Sequence, residues 1–142
     1  EDLLAFVQRL TKLRRDHKVL RQRRFLHARP RHADGKPDVF WRLPSGKVPT
    51  REEWESDETK SICVEVRTSS TTPYYSASDD VVFLVVNNDA DITVTMPPIA
   101  QGKAWELVID TSAPKDDPLC VTGPTTLIHA ASVCVFVLTS AT

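Results

Sequence analysis

A single change of period divides this chain. From Asp2 to about Arg23 the apolar residues Leu3, Phe6, Val7, Leu10, Leu13 and Leu20 recur at three- and four-residue steps, with no Gly or Pro among them. That spacing predicts an amphipathic helix of about six turns whose apolar stripe needs a surface to bury against. Arg9, Lys12, Arg15 and Lys18 lie largely off the stripe. From Ser61 onward the pattern becomes "SICVEVRT", "DVVFLVVNN", "DITVTMP", "AWELVIDT", "TTLIHA" and "SVCVFVLTS". These short, β-branched, often alternating runs, separated by Asn, Asp, Pro and Ser, predict strands. A long helix followed by six or seven strands in about 80 residues predicts a mainly β chain built as an antiparallel β-sandwich.

Within that pattern "VVFLVV" is apolar throughout and predicts a central strand, whereas Ile92, Val94 and Met96 alternate with Thr93 and Thr95, predicting one buried and one wet face. Asn87, Asn88, Asp89 and Asp91 tolerate turn conformations, so the link "VVNNDADITV" predicts a hairpin. Between helix and strands, Pro30, Gly35 and Pro37 break all periodicity and predict a linker or irregular wrap. After it comes "PDVFWRLPSGKVPTREEWESDETKSICVEV", which places Trp41 and Trp54 within turn-rich, charged sequence.

The size, 142 residues, suits one ordinary domain or a smaller one with an added element, and 41% hydrophobic with 26% charged residues is a globular composition. Net charge is −1, but residues 1–31 hold ten Lys/Arg against three Asp/Glu (+7), which leaves −8 for the remainder. Such asymmetry fits either a nucleic-acid arm or complementary pieces of a larger protein. The basic run "RQRRFLHARPRH" contains one aromatic, Phe25, so it offers no stacking platform for single strands. Cys63, Cys120 and Cys134 are widely spaced and form no CxxC, which points to reduced thiols in a cytoplasmic compartment and to no zinc site. No apolar run reaches the roughly 18 to 20 residues that span a bilayer. The start "EDLLAF", without Met and already helical in pattern, reads as a cut inside a longer protein.

Motifs of catalysis are scarce. There is no Gly-rich phosphate loop, no GxSxG and no HExxH. His17 falls on the helix stripe as a packed or interface residue, His27 and His32 sit among arginines in the linker, and His129 follows a strand facing solvent. Glu52, Glu53 and Glu55, then Asp79 and Asp80, are the acids to weigh as a glycosidase pair. Each group reads better as helix-start or turn acids, as do Asp116 and Asp117. Trp105 lies in a strand and reads as core. Trp41 and Trp54 are the carbohydrate-binding candidates, because a flat indole face stacks on a sugar ring, while the competing reading makes them packing residues that staple a loop. Tyr74 and Tyr75 are further stacking candidates.

Taken in order, "LLAFVQRLTKLRRDHKVLRQRRFLH", "PDVFWRLPSGKVPTREEWESDETKSICVEV", "DDVVFLVVNNDADITVTMPP" and "WELVIDTSAP" resemble the C-terminal end of bacterial glycogen-debranching enzymes, the isoamylase-type members of the α-amylase superfamily in glycoside hydrolase family 13. Leu10, Leu13, Arg14, Arg15, His17, Leu20, Arg23, Phe25 and Leu26 match that family's last-helix pattern, "LxxLRxxHPxLRRxxFL". Asp38, Trp41, Pro44, Gly46, Thr50 and Trp54 match its "DxxWxxPxGxxMTxxDW" segment, and Asn87, Pro97, Trp105, Leu107, Asp110 and Thr111 match its strand motifs. Lys18 replaces the proline usual after His17, Pro49 stands where Met or Leu is usual, and "RTSSTTPYYSASDD" is less typical.

The resemblance implies the last helix of a (β/α)8 barrel over 1–26, a connecting segment over 27–60, and a C-terminal sandwich of the α-amylase type over 61–142. It implies a parent that hydrolyses α-1,6 branch linkages, with the catalytic carboxylates on barrel strands outside this sequence, so no catalytic residue, metal or cofactor is expected here. The expected partner is the barrel of the same parent chain, with α-glucan second, and neither nucleic acid nor membrane. The uncovered helix stripe would let the isolated chain self-associate. In that order of motifs Trp41 and Trp54 become chiefly packing residues between helix and strands, and glucan binding is the alternative.

Overall fold

A computed structural model describes residues 2–22, 25–31, 35–70 and 80–140. Arg23, His32, Tyr74, Tyr75 and Asp79 lie outside the described residues. The chain is mainly β, with antiparallel sheets and one long helix at its N-terminus. The helices are α1 (Asp2–Asp16) and α2 (Arg51–Glu55), and a 3-10 turn covers Lys18–Arg21. The strands are β1 (Val39–Arg42), β2 (Ser61–Val66), β3 (Val82–Asn87), β4 (Ile92–Thr95), β5 (Lys103–Asp110), β6 (Leu119–Cys120), β7 (Thr125–Ile128) and β8 (Ser132–Ser140). Every run expected to be a strand is one, while β1 and β6, four and two residues long, had no periodicity to announce them.

Six strands form one sheet in the order β1-β2-β3-β8-β5-β6, and β4 pairs with β7 in a second. The pairs β5–β8, β5–β6 and β4–β7 are antiparallel. As expected, β3 is central. The expected hairpin between β3 and β4 does not form, because those strands belong to different sheets. Asn87 explains the correction: its side-chain oxygen accepts the Asp89 amide and the Ser61 hydroxyl, and its amide nitrogen donates to the carbonyls of Ala90 and His129. A buried Asn bonded on both ends turns the chain out of the first sheet instead of folding it back.

The helix also ends earlier than its stripe predicts. Instead of continuing to Arg23, α1 stops at Asp16, and His17 is extended at φ −116° and ψ 101°. Its Nδ1 lies 2.7 Å from the Asp80 carboxylate, whose other oxygen accepts the Val19 amide at 3.4 Å. Arg21 then reaches back to the Arg14 and Arg15 carbonyls, at 2.9 and 3.1 Å, satisfying helix-end acceptors with a cation. An extended His17 is the conformation a following proline would impose. With Lys18 in that place, the Asp80 and Arg21 bonds hold the break.

The chain divides into two units: Glu1–Phe40 with Glu65–Val82, and Trp41–Val64 with Phe83–Thr142. The second has an apolar core of Cys63, Phe83, Val85, Val94, Met96, Trp105, Ile109, Ile128 and the run Cys134–Val137. Phe83 packs against Trp105 and Phe136, with ring centroids 5.7 and 5.9 Å apart. Burying each of these aromatic rings contributes about 2 kcal/mol. Trp105 satisfies its indole N–H on the Pro97 carbonyl at 3.1 Å, so burial leaves it no orphaned donor.

The first unit is built the other way. Its buried apolar residues, among those described, are Val19, Val81 and Val82, whereas Arg31, Asp38, Glu65, Arg67, Thr68, Ser69 and Ser70 are buried polar or charged. These groups satisfy one another. Arg67 pairs with Glu65 at 2.9 Å and Arg31 donates to the Thr68 hydroxyl. Gln22 bridges the Arg67 carbonyl and the Ser69 amide, while the Asp38 carboxylate accepts the amides of His27, Ala28 and Ser70. The buried polar interior is paired, but it supplies little hydrophobic stabilisation.

Candidate functional site

The two tryptophans expected as carbohydrate-binding candidates meet in the second unit. Trp41 sits on β1 and Trp54 on α2, with ring centroids 5.4 Å apart and planes at 77°, an edge-to-face pair. Both stay substantially exposed, at 42% and 49%. They pack on each other at the surface, whereas Trp105 is a core residue.

Local chemistry fixes both mounts. Thr50 caps α2 reciprocally: its hydroxyl accepts the Glu53 amide at 3.2 Å, and the Glu53 carboxylate accepts the Thr50 amide at 3.0 Å. Such a capping box stabilises a helix start by about 1 kcal/mol, which a five-residue helix needs. After β1, the Leu43 amide bonds to the Lys47 carbonyl and the Gly46 amide to the Leu43 carbonyl, both at 2.8 Å. Gly46 has φ +89°, a backbone conformation that favours glycine, and it lies against Thr95, whose methyl would be 3.4 Å from an added Cβ. The Thr95 amide bonds the Pro44 carbonyl at 2.8 Å, tying this turn to β4. Pro49 is buried, so the departure from Met or Leu keeps an apolar residue at a covered position.

Three of the acids weighed as a catalytic pair have structural duties. Glu53 completes the capping box, Glu55 pairs with Arg51 at 3.2 Å, and Asp80 faces His17. His129 is exposed, 3.9 Å from Asp91, and the His27 backbone amide is bonded to Asp38. Among the described residues no group of three or more His, Cys, Asp or Glu could hold a metal ion, and no helix is long and apolar enough to cross a membrane.

A second surface lies on α1, where no residue is buried. Leu3, Leu4, Val7 and Leu10 are 75%, 63%, 46% and 38% exposed, while Phe6 and Leu13 are half-buried, so much of the apolar stripe is displayed. Phe25 and Leu26, also in the first unit, are exposed as well.

Over 122 residues, 82% of the chain, the sequence is 35% identical to proteins called glycogen operon protein GlgX homolog from Mycobacterium bovis and Mycobacterium tuberculosis. The chain is similar to one part of the GlgX homologues. It spans 17% of their length. No protein-family model matches it. The similarity to part of GlgX-type proteins agrees with the resemblance carried by the order of its motifs.

Sequence reasoning passed over two residues that organise this GlgX-related chain. Asp38 is fully buried and gathers three backbone amides, yet in sequence it was only one letter of a motif. Asn87 is 3% exposed and its side chain is bonded at both ends, yet its sequence context pointed to a hairpin turn. In both cases the signal available was a short polar residue at the edge of an apolar run, a pattern shared by ordinary turns.

Proposed function

We propose that this chain is the C-terminal, non-catalytic part of a cytoplasmic glycogen-debranching enzyme that hydrolyses α-1,6 branch linkages, and that its task is to support the catalytic (β/α)8 barrel through α1. The observation that carries the reading is the helix: Leu3, Leu4, Val7 and Leu10 stand exposed on it, in a unit whose described interior is mostly polar. An apolar face of this kind is stable in water only when another surface covers it, and the GlgX homologues, of which this chain matches 17%, have the additional length to supply one. On the same reading the two sheets are the layers of a sandwich of the α-amylase C-terminal type, with Val94 and Ile128 of the small sheet and Phe83, Trp105 and Phe136 of the large one providing its filling.

Val7→Glu with Leu10→Glu tests the interface in the longer polypeptide proposed to carry this sequence. The expected result is loss of soluble, active enzyme, with the melting of the 142-residue chain unchanged. Full debranching activity in that double variant would remove α1 as the supporting contact.

A further inference from the structure

We propose that Trp41 and Trp54 form a surface subsite for α-linked glucan. The choice of ligand rests on the glycogen reading above. The geometry stands on its own.

Three observations carry the proposal. First, the second unit uses its indoles in two ways: Trp105 is 3% exposed with its N–H bonded, while Trp41 and Trp54 are 42% and 49% exposed. Large aromatic faces left in water cost free energy unless something covers them. Second, the pair is mounted on a capped helix and beside the hydrogen-bonded Gly46 turn, which limits the backbone ordering left for a ligand to impose. Third, one ring stands edge-on to the other at 77°, so the pair presents a corner and not a flat platform. Successive sugars in an α-1,4-linked chain are turned relative to each other, and a corner can meet two of them at once. A β-1,4-linked chain is a flat ribbon, which a coplanar platform would suit better.

The rim supplies polar partners. Arg51 lies one turn before Trp54 on α2 and Glu55 directly after it, and both are strongly exposed, at 89% and 67%. Their side chains give donors and acceptors for sugar hydroxyls beside an apolar ring face. The stripe on α1 is aliphatic apart from the half-buried Phe6 and suits a protein surface instead.

Maltoheptaose titrated into the 142-residue chain, followed by indole fluorescence and calorimetry, tests the subsite. Saturable binding is expected, weakened at least tenfold in Trp41→Ala and in Trp54→Ala, and cellohexaose should bind at least tenfold more weakly than maltoheptaose. Thermal melting of each variant checks folding. Should an alanine variant unfold, Trp41→Phe and Trp54→Phe keep an aromatic face and should bind weakly but measurably. No saturable response up to about 10 mM, a concentration that would saturate a Kd of 1 mM, overturns the proposal, as does unchanged binding in folded alanine variants. Equal binding of cellohexaose overturns the corner geometry. Absent binding alongside an active longer polypeptide removes the subsite alone, whereas binding alongside a longer polypeptide without debranching activity removes the proposed function alone.

Discussion

The carboxylate of Asp38 accepts the backbone amide of Ser70 at 2.8 Å, across a sequence separation of 32 residues. The same carboxylate takes the Ala28 amide at 2.8 Å and the His27 amide at 3.1 Å. One buried charge therefore joins the segment after the helix to the segment after β2. Burial opposes that charge, but the bonds from Ser70, His27 and Ala28 outweigh it and hold the carboxyl below its ordinary range. A depressed native value contributes stability that is present above about pH 4, the ordinary carboxylate value, and is lost as pH falls through the lower native one. Asp38→Asn should cost roughly 2 to 4 kcal/mol at pH 7, because buried donors lose a charged acceptor. Its stability should also change less below pH 4. Chemical denaturation across pH 2 to 7 measures both, and an acid transition identical in Asp38→Asn would exclude Asp38 as its origin.

Ala28 offers a test in the stabilising direction. Its φ of 58° is left-handed, a conformation that costs a residue with a Cβ about 1 kcal/mol. Its amide is held there by the Asp38 carboxylate. Ala28→Gly should keep the hydrogen bond and relieve the strain, leaving stability unchanged or raised by up to about 1 kcal/mol, since glycine also gives back entropy to the unfolded chain. A loss of more than 1 kcal/mol on denaturant titration would count against this geometry.

The three cysteines should separate cleanly by reactivity. Burial pushes the Cys63 thiol up to about 12, and burial together with the neighbouring Asp110 does the same for Cys134. Cys120 is exposed on the short strand β6. Thiolates are the reactive form, so a maleimide at neutral pH should label Cys120 alone in the native chain and all three after unfolding. Mass spectrometry of the labelled peptides reads this directly, and rapid native labelling of Cys63 would contradict its placement.

The displayed stripe of α1 should make the isolated chain associate with itself at high concentration. Val7→Glu with Leu10→Glu should abolish that association and shift the melting free energy by no more than about 0.5 kcal/mol per site, because both residues are exposed. Sedimentation over a range of concentrations provides the measurement. Association that persists in the double variant would place the contact elsewhere.

Much of the architecture was legible because it depends on local pattern. Alternation along Ile92–Met96 foretold which residues face inward, and the unbroken apolar run of β3 foretold its central place. The misreadings share a cause: a polar side chain bonded to a residue far away in sequence. Asp80 ends α1 at Asp16 although the stripe runs on, and Asn87 sends β4 to a different sheet although its neighbours suit a hairpin. Neither bond leaves a trace in periodicity. The acids around Trp54 suit a helix start, and Glu53 occupies one, because a capping box is a local motif. That Trp41 and Trp54 would stand edge to face depended on how the intervening turn closed, which the sequence hinted at only through Pro44 and Gly46.

Release of linear chains from a branched limit dextrin, assayed in parallel for the 142-residue chain and for the longer polypeptide proposed to contain it, tests the central claim most directly. The account predicts cleavage of α-1,6 linkages by the longer polypeptide and none by the chain alone. Debranching by the chain alone, or a longer polypeptide that folds and leaves the branches intact, would contradict it.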